Sequence, residues 1–342
     1  MLRSSQPVAL YMEGAFEDQT GKLGLGVLRY GKNKVVCVID KRHAGESLQD
    51  LYGIPHKAPI VASADEARRH GAEALVLGIA PPGGLVPGSW LPTLDRAVSL
   101  GLSLVNGLHD KLAPRYPRLA HGQFVWDVRT EPHSLGVGQG LARLQSNRRV
   151  LMVGTDMSVG KMTAGLELVK SADRSGLSAG FVATGQTGII IEGRGVPLDA
   201  VRLDYASGAV ESEVLSHAGN DLVVIEGQGS LLHPGSSATL PLMRGSCPTH
   251  LVLCHRAGMK TMTKIEWVTN PEHLEVAKHY EDVASALGTF PAAKVVGVAL
   301  NTSHLGPDEA ADAIDECEKA IALPTCDPVR DGAEKLLSAV MA

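Results

Sequence analysis

The chain has 342 residues, enough for two domains of ordinary size and for sizeable cores. Apolar residues make up 44% and charged residues 20%, and the net charge of −5 comes with no basic block, which argues against nucleic acid or an acidic membrane surface as a partner. No run approaches the ~20 apolar residues of a membrane span, and the start lacks the apolar core of a signal segment. Cys37, Cys247, Cys254, Cys317 and Cys326 form an odd set with no CxxC pair, so reduced, buried thiols in a cytoplasmic protein are expected rather than disulfides or zinc. Aromatic residues at only 4%, with 38 glycines, suit a Val/Ala/Leu-rich α/β protein better than a β-sandwich.

In chain order, "KVVCVID" (34–40) and "PIVAS" (59–63) read as buried strands. "ADEARRHGA" follows as a helix, with Ser63 as its N-cap and Glu66 at the third helical position. "ALVLGIAPPGG" (74–84) is a strand broken by a turn, and "LSLVNGLHDKL" (102–112) and "FVWDVR" (124–129) complete the set. Strand and helix alternating in this way predict a parallel sheet of the Rossmann type. No GxGxxG occurs there, which speaks against a dinucleotide role.

"TEPHSLGVGQGLARLQSNRR" (130–149) is Gly-rich, polar and aperiodic. It divides the chain into a domain at 1–130, a linker at 131–148 and a second domain at 149–342. The second domain has strands in "VLMVG", "SAGFVATG", "DLVVIEG", "HLVLCH" and "KVVGVALN", again a doubly wound parallel-sheet pattern with helices between.

The loop "GTDMSVGK" (154–161) lies between a strand and a helix and has one residue more than the standard G-x-x-x-x-G-K spacing. Gly154, Thr155, Ser158, Val159, Gly160, Met162 and Thr163 would offer backbone N–H groups to phosphate oxygens. The helix N-terminus adds a positive dipole and Lys161 a mobile charge. Met162 stands where a Ser or Thr hydroxyl commonly holds magnesium, and Thr163 is turned about 100° away on the helix. The loop therefore suits a phosphate ligand that needs no metal, such as CoA with its pyrophosphate. ATP with magnesium is the alternative if Asp156 or Glu226 holds the ion.

Glu226 ends the strand in "VVIEGQGSLLHPG" (223–235), at the usual ligand crevice of a parallel sheet. It reads as a general base, a metal ligand, or a carboxylate satisfied by turn amides. His233 follows as a packed or functional histidine. Gln186 and Thr187 in "ATGQTG" (183–188) sit on a loop that can approach a substrate closely. "GRGVPLDAVRLDYASGAVE" (193–211) places Arg194, Asp199 and Asp204 around one helix, where the two aspartates would lie about 140° apart. Asn301 in "ALNTS" and Asp327 in "CDPVRDG" are candidates for reading a nucleotide base, and Arg330 for clamping a carboxylate.

Taken together and in this order, "GTDMSVGKM", "ATGQTG", "GRGVPLDAV…DYASGAVE", "VIEGQGSLLHP", "LCH", "LNTS" and "DPVRDG" resemble the D-glutamate N-acetyltransferase family, densely over about 150–332. In the first third the resemblance is confined to pieces such as "NGLHDKL" and "VWDVR". It implies a Rossmann-like N-terminal domain and a P-loop C-terminal domain. It also implies transfer of an acetyl group from acetyl-CoA to the amino group of a small acidic amino acid, D-glutamate in the family. Glu226, Lys161 or Asp156 would then carry the chemistry. The second domain is more distantly similar to dethiobiotin synthetase, a magnesium- and ATP-dependent enzyme with Thr directly after the lysine. Met162 departs from that pattern and fits the acetyltransferase one. The segments "ALYMEGAF" (9–16) and "HRAGMKTMTKIEWVTNPEHL" (255–274) depart from the family pattern. A small-molecule substrate, no metal centre and a homo-oligomer, common among such enzymes, complete the expectation.

Overall fold

A computed structural model describes residues 2–15 and 19–342. Phe16, at the end of the divergent segment 9–16, lies outside the described residues. The chain divides into two compact units, one made of residues up to 130 together with 186–197, the other of 131–185 with 198–342.

The first unit carries β1 (Val8–Tyr11), β2 (Val35–Ile39), β3 (Ile60–Val61), β4 (Ala74–Leu77), β5 (Ser103–Asn106) and β6 (Val125–Asp127). All pair in parallel in the order β3-β2-β1-β4-β5-β6. That is the Rossmann order. Its inner strands β1, β4 and β5 are buried throughout, the state of strands covered on both faces. The helix Ala64–Arg69 starts as its sequence predicts: Ser63 Oγ accepts the Glu66 N–H, while the Glu66 carboxylate accepts the Ala62 N–H.

The second unit contains β7 (Arg148–Gly154), β8 (Ala179–Val182), β9 (Leu222–Ile225), β10 (His250–Arg256), β13 (Lys294–Asn301) and β14 (Thr325–Cys326). They form a second parallel sheet, ordered β14-β13-β10-β7-β9-β8. A short antiparallel hairpin, β11 (Thr261–Met262) with β12 (Ile265–Thr269), stands apart from it. From β7 the chain runs through the helix Lys161–Arg174 to the edge strand β8, returns to β9, and then crosses to β10 on the other side of β7. The connections thus diverge at the carboxyl end of β7, where open α/β sheets bind ligands. The fold is α/β in both units.

β7 is held at its opposite end by an unusual anchor. Arg149 is 2% exposed and donates to the carbonyls of Gln145, Asn147, Ser246 and Cys247. Four neutral acceptors replace the water that the guanidinium loses, and burial still pulls its pKa down.

Two boundaries differ from the sequence expectation. Residues 131–148, expected as a linker, are part of the second unit: the amides of Gln139 and Leu141 donate to the buried Glu211 carboxylate. Residues 186–197, expected in the P-loop domain, group with the first unit. All five cysteines are buried and free. Among the described residues no helix is long and apolar enough to cross a membrane.

Candidate active site

The loop 154–161 turns between β7 and the helix Lys161–Arg174 in backbone that L-residues rarely adopt. Ser158 has φ +57, and Gly160, the helix N-cap, has φ +107. These left-handed positions, followed by a helix whose first-turn amides have no intrahelical acceptor, give a concave nest of N–H groups. Thr155 N–H donates to the Cys254 carbonyl (3.1 Å), and Tyr280 OH donates to the Gly154 carbonyl (2.7 Å), so both neighbouring segments fix the loop's entry. Thr155 Oγ1 pairs with His255 Nδ1 at 2.8 Å. Burial and the neighbouring His273 push His255 down to about 3, so it is neutral at physiological pH.

Lys161 is buried, 6% exposed, and its ammonium donates to the Asp156 carbonyl at 2.7 Å. Desolvation lowers it to about 8, opposed by Cys254, Asp156 and Glu226. Met162, next on the helix, offers a thioether rather than an oxygen. The Asn301 side chain lies beside the loop, with Nδ2 3.6 Å from the place a β-carbon on Gly160 would take.

Glu226 follows β9 and is 3% exposed. Its Oε2 accepts the N–H groups of Thr184 (2.8 Å) and Gly185 (3.0 Å). Burial raises it to about 7, although both amides and Lys161 pull the other way. Desolvation therefore outweighs two hydrogen bonds and a neighbouring cation. A carboxyl that titrates near neutrality is a candidate proton acceptor. Gly227 closes this arrangement. A methyl group there would sit 1.7 Å from the Met152 carbonyl oxygen and 2.8 Å from Lys161 Cδ, so only glycine lets the turn after β9 lie against β7 and the lysine stem.

Asp156 is fully buried and faces two amides: Oδ1 accepts Met157 N–H (2.6 Å) and Oδ2 accepts Thr263 N–H (2.5 Å). It ties the loop to the hairpin turn. His233 holds the same turn from the other side, with Nε2 3.2 Å from the Thr263 carbonyl. The Gly235 N–H donates to His233 Nδ1, so Nε2 is the protonated nitrogen. Among the described residues, no group of three or more His, Cys, Asp or Glu side chains is arranged to hold a metal ion.

Gly154, Thr155, Asp156, Ser158, Val159, Gly160, Lys161, Met162, Thr163, Glu226, His233 and Asn301 thus share one end of the second sheet. Of the other expected residues, Asp327 and Arg330 follow β14 at this same end of the sheet, next to the loop after Asn301. Asp327 binds its own turn and the loop after β13: Oδ1 accepts Val329 N–H, and Oδ2 accepts both the N–H and the hydroxyl of Thr302. It is 3% exposed. Arg330 Nη2 donates to the carbonyls of Thr302 and Leu305, bracing that same loop. Arg194, Asp199 and Asp204 are not on one helix. Arg194 follows the helix Gln186–Glu192 in the first unit, Asp199 lies in the 3-10 turn Leu198–Ala200, and Asp204 opens the helix Leu203–Leu215. Gln186 and Thr187 start the helix Gln186–Glu192, where the Gln186 stem packs on Gly107. Sequence missed Tyr280, and it marked Thr184 and Gly185 in "ATGQTG" and His255 in "LCH" only as parts of motifs; these residues hold Glu226 and the loop.

Comparison with known proteins agrees with this two-unit architecture. Residues 41–131 match the family model described as the DUF1611_N Rossmann-like domain, and residues 136–337 the DUF1611_C P-loop domain, both of unknown function. A protein named D-glutamate N-acetyltransferase from Tritonibacter scottomollicae is 34% identical over 98% of each chain. One of the same name from a Pseudoalteromonas species is 35% identical over 80% of this chain and 82% of its own. The crystal structure of a DUF1611 family protein from Anabaena variabilis is 49% identical, covers 98% of this chain and 99% of its own, and superposes with a TM-score of 0.95. The chain therefore belongs to the DUF1611 family, with the Rossmann-like domain of that family followed by its P-loop domain.

Proposed function

We propose that this protein is an N-acetyltransferase that moves the acetyl group of acetyl-CoA to the amino group of a small acidic amino acid, with D-glutamate as the acceptor. The names of the two relatives support the reaction and the acceptor. The observation that carries the reading is the pairing, at one sheet end, of a phosphate loop whose magnesium position is Met162 with a buried Glu226 raised to about 7. In this reading the amides of the 154–163 loop and Lys161 hold the CoA phosphates. Glu226 takes one proton from the acceptor ammonium. The freed amine attacks the thioester carbonyl, the N–C bond forms, and the carbonyl oxygen takes up the negative charge. The C–S bond then breaks, and the thiolate leaves with the second amine proton.

ATP with magnesium finds less support in the donor set. A hard cation takes oxygen ligands. Both oxygens of Asp156 and one of Glu226 already accept backbone amides. The test is mass spectrometry of the products after incubation with acetyl-CoA and D-glutamate. N-acetyl-D-glutamate is expected, and its absence beside unconsumed acetyl-CoA overturns the proposal.

A further inference from the structure

The hairpin of β11 and β12 has no role in the reaction as written above, yet its turn is fastened to both halves of the site. The Thr263 N–H reaches Asp156 on the phosphate loop, and the Thr263 carbonyl accepts from His233 on the segment that follows Glu226. The next residue is Lys264, which closes a two-residue turn between the paired Met262 and Ile265. Consecutive α-carbons are 3.8 Å apart, so the Lys264 α-carbon is held within about 8 Å of the Asp156 carboxylate.

Lys264 has φ +67. Glycine occupies that left-handed position without strain and lysine does not. Strain of this kind persists where the surroundings fix it, and it collects at ligand sites. Here two hydrogen bonds fix the neighbouring residue, and a long cationic side chain stands where glycine would be easiest. Lys264 is exposed, and among the described residues no carboxylate pairs with it.

We propose that Lys264 is a substrate-binding residue that takes an anionic oxygen group, either the carboxylate of the acidic acceptor or a phosphate of the acyl donor. Asp156 and His233 are then positioning residues that hold the turn in place. The identity of these two ligands rests on the acetyltransferase reading.

The test uses the full chain and two variants, Lys264→Gly and Lys264→Arg. Lys264→Gly removes the charge and relieves the backbone, so its thermal midpoint is expected to equal or exceed that of the wild type. Loss of a charge-assisted hydrogen bond should raise one KM by about 10- to 100-fold, and Lys264→Arg should restore most of it. A rise for D-glutamate assigns the carboxylate, and a rise for acetyl-CoA assigns the phosphate. Unchanged values for both overturn the proposal.

A binding readout separates this result from failure of the acetyl-transfer reading. Trp267 lies three residues on, is 82% exposed, and is the sole tryptophan beyond residue 126. Its fluorescence, isolated by comparison with Trp267→Phe, can be titrated with CoA alone and with D-glutamate alone. Binding of either ligand that Lys264→Gly weakens tenfold or more supports the anion site even without turnover. Binding equal in the wild type and in Lys264→Gly, or no binding of either ligand to the wild type, overturns it.

Discussion

Glu226→Gln is expected to lower kcat by about 10²–10⁴-fold, the usual worth of a positioned general base. The change is nearly isosteric, and the amide oxygen of glutamine can still accept the Thr184 and Gly185 N–H groups that Oε2 accepts now. The loss should therefore fall on kcat rather than on the fold. The pH dependence gives a second reading of the same group. Burial raises Glu226 from 4.5 to about 7, so the wild-type rate should fall below about pH 7 as the base takes up its proton. The variant should lose that limb. Stability runs in the opposite sense. Because the folded pKa is the higher one, the native state holds this proton more tightly than the unfolded chain does. The stabilisation is present below about pH 4.5 and is lost as pH rises to about 7. Over that window the thermal midpoint of Glu226→Gln should rise relative to the wild type. A variant with unchanged kcat sinks the base assignment.

Gly227→Ala should be among the most damaging small substitutions in the second unit. The added methyl meets the Met152 carbonyl oxygen at 1.7 Å, and backbone cannot give way as the end of a flexible side chain can. Relief requires the turn after β9 to move off the end of β7. That parts Glu226 from the phosphate loop and pushes on the Lys161 stem at 2.8 Å. Overpacking of this severity lies at the upper end of the usual 1–3 kcal/mol or beyond. For a unit of this size about 3 kcal/mol corresponds to a fall of roughly 6–12 °C in thermal midpoint, read by calorimetry. Activity should fall further than stability explains, because base and loop lose their relative placement. A melting curve superimposable on that of the wild type contradicts this packing.

Much of the fold was legible because strands buried on both faces read as continuous apolar runs. "VLMVG" and "LVVIEG" announce β7 and β9 with no need of tertiary information. The phosphate loop and Glu226 were legible for a related reason: glycine-rich turns at strand ends leave a local signature. What escaped is what folding brings together from far away. Tyr280 OH reaches the Gly154 carbonyl across 126 residues, and His255 meets Thr155 across 100. No local pattern marks Tyr280, and "LCH" marks His255 without naming its partner. The turn that Asp327 closes has a local signal in the sequence. Asp before proline commonly closes a turn on its own backbone, which is what its bond from Val329 N–H does. Likewise Pro197 ruled out one helix through Arg194, Asp199 and Asp204, since the chain breaks there into separate turns. The Glu211 anchor shows why residues 131–148 read as a linker: glycine-rich composition is the same whether a loop is free or pinned by a buried carboxylate.

The central claim, acyl transfer without a metal, is tested most directly by free-thiol release from acetyl-CoA. D-glutamate, L-glutamate and D-aspartate should each be supplied as acceptor, with magnesium and with EDTA. Thiol release that requires D-glutamate and persists in EDTA is the predicted result, and it makes Met162 the expected residue in a loop that grips CoA phosphates. No thiol with any acceptor, together with magnesium-dependent ADP release on adding ATP, would contradict the account and turn Glu226 from a base into a metal ligand.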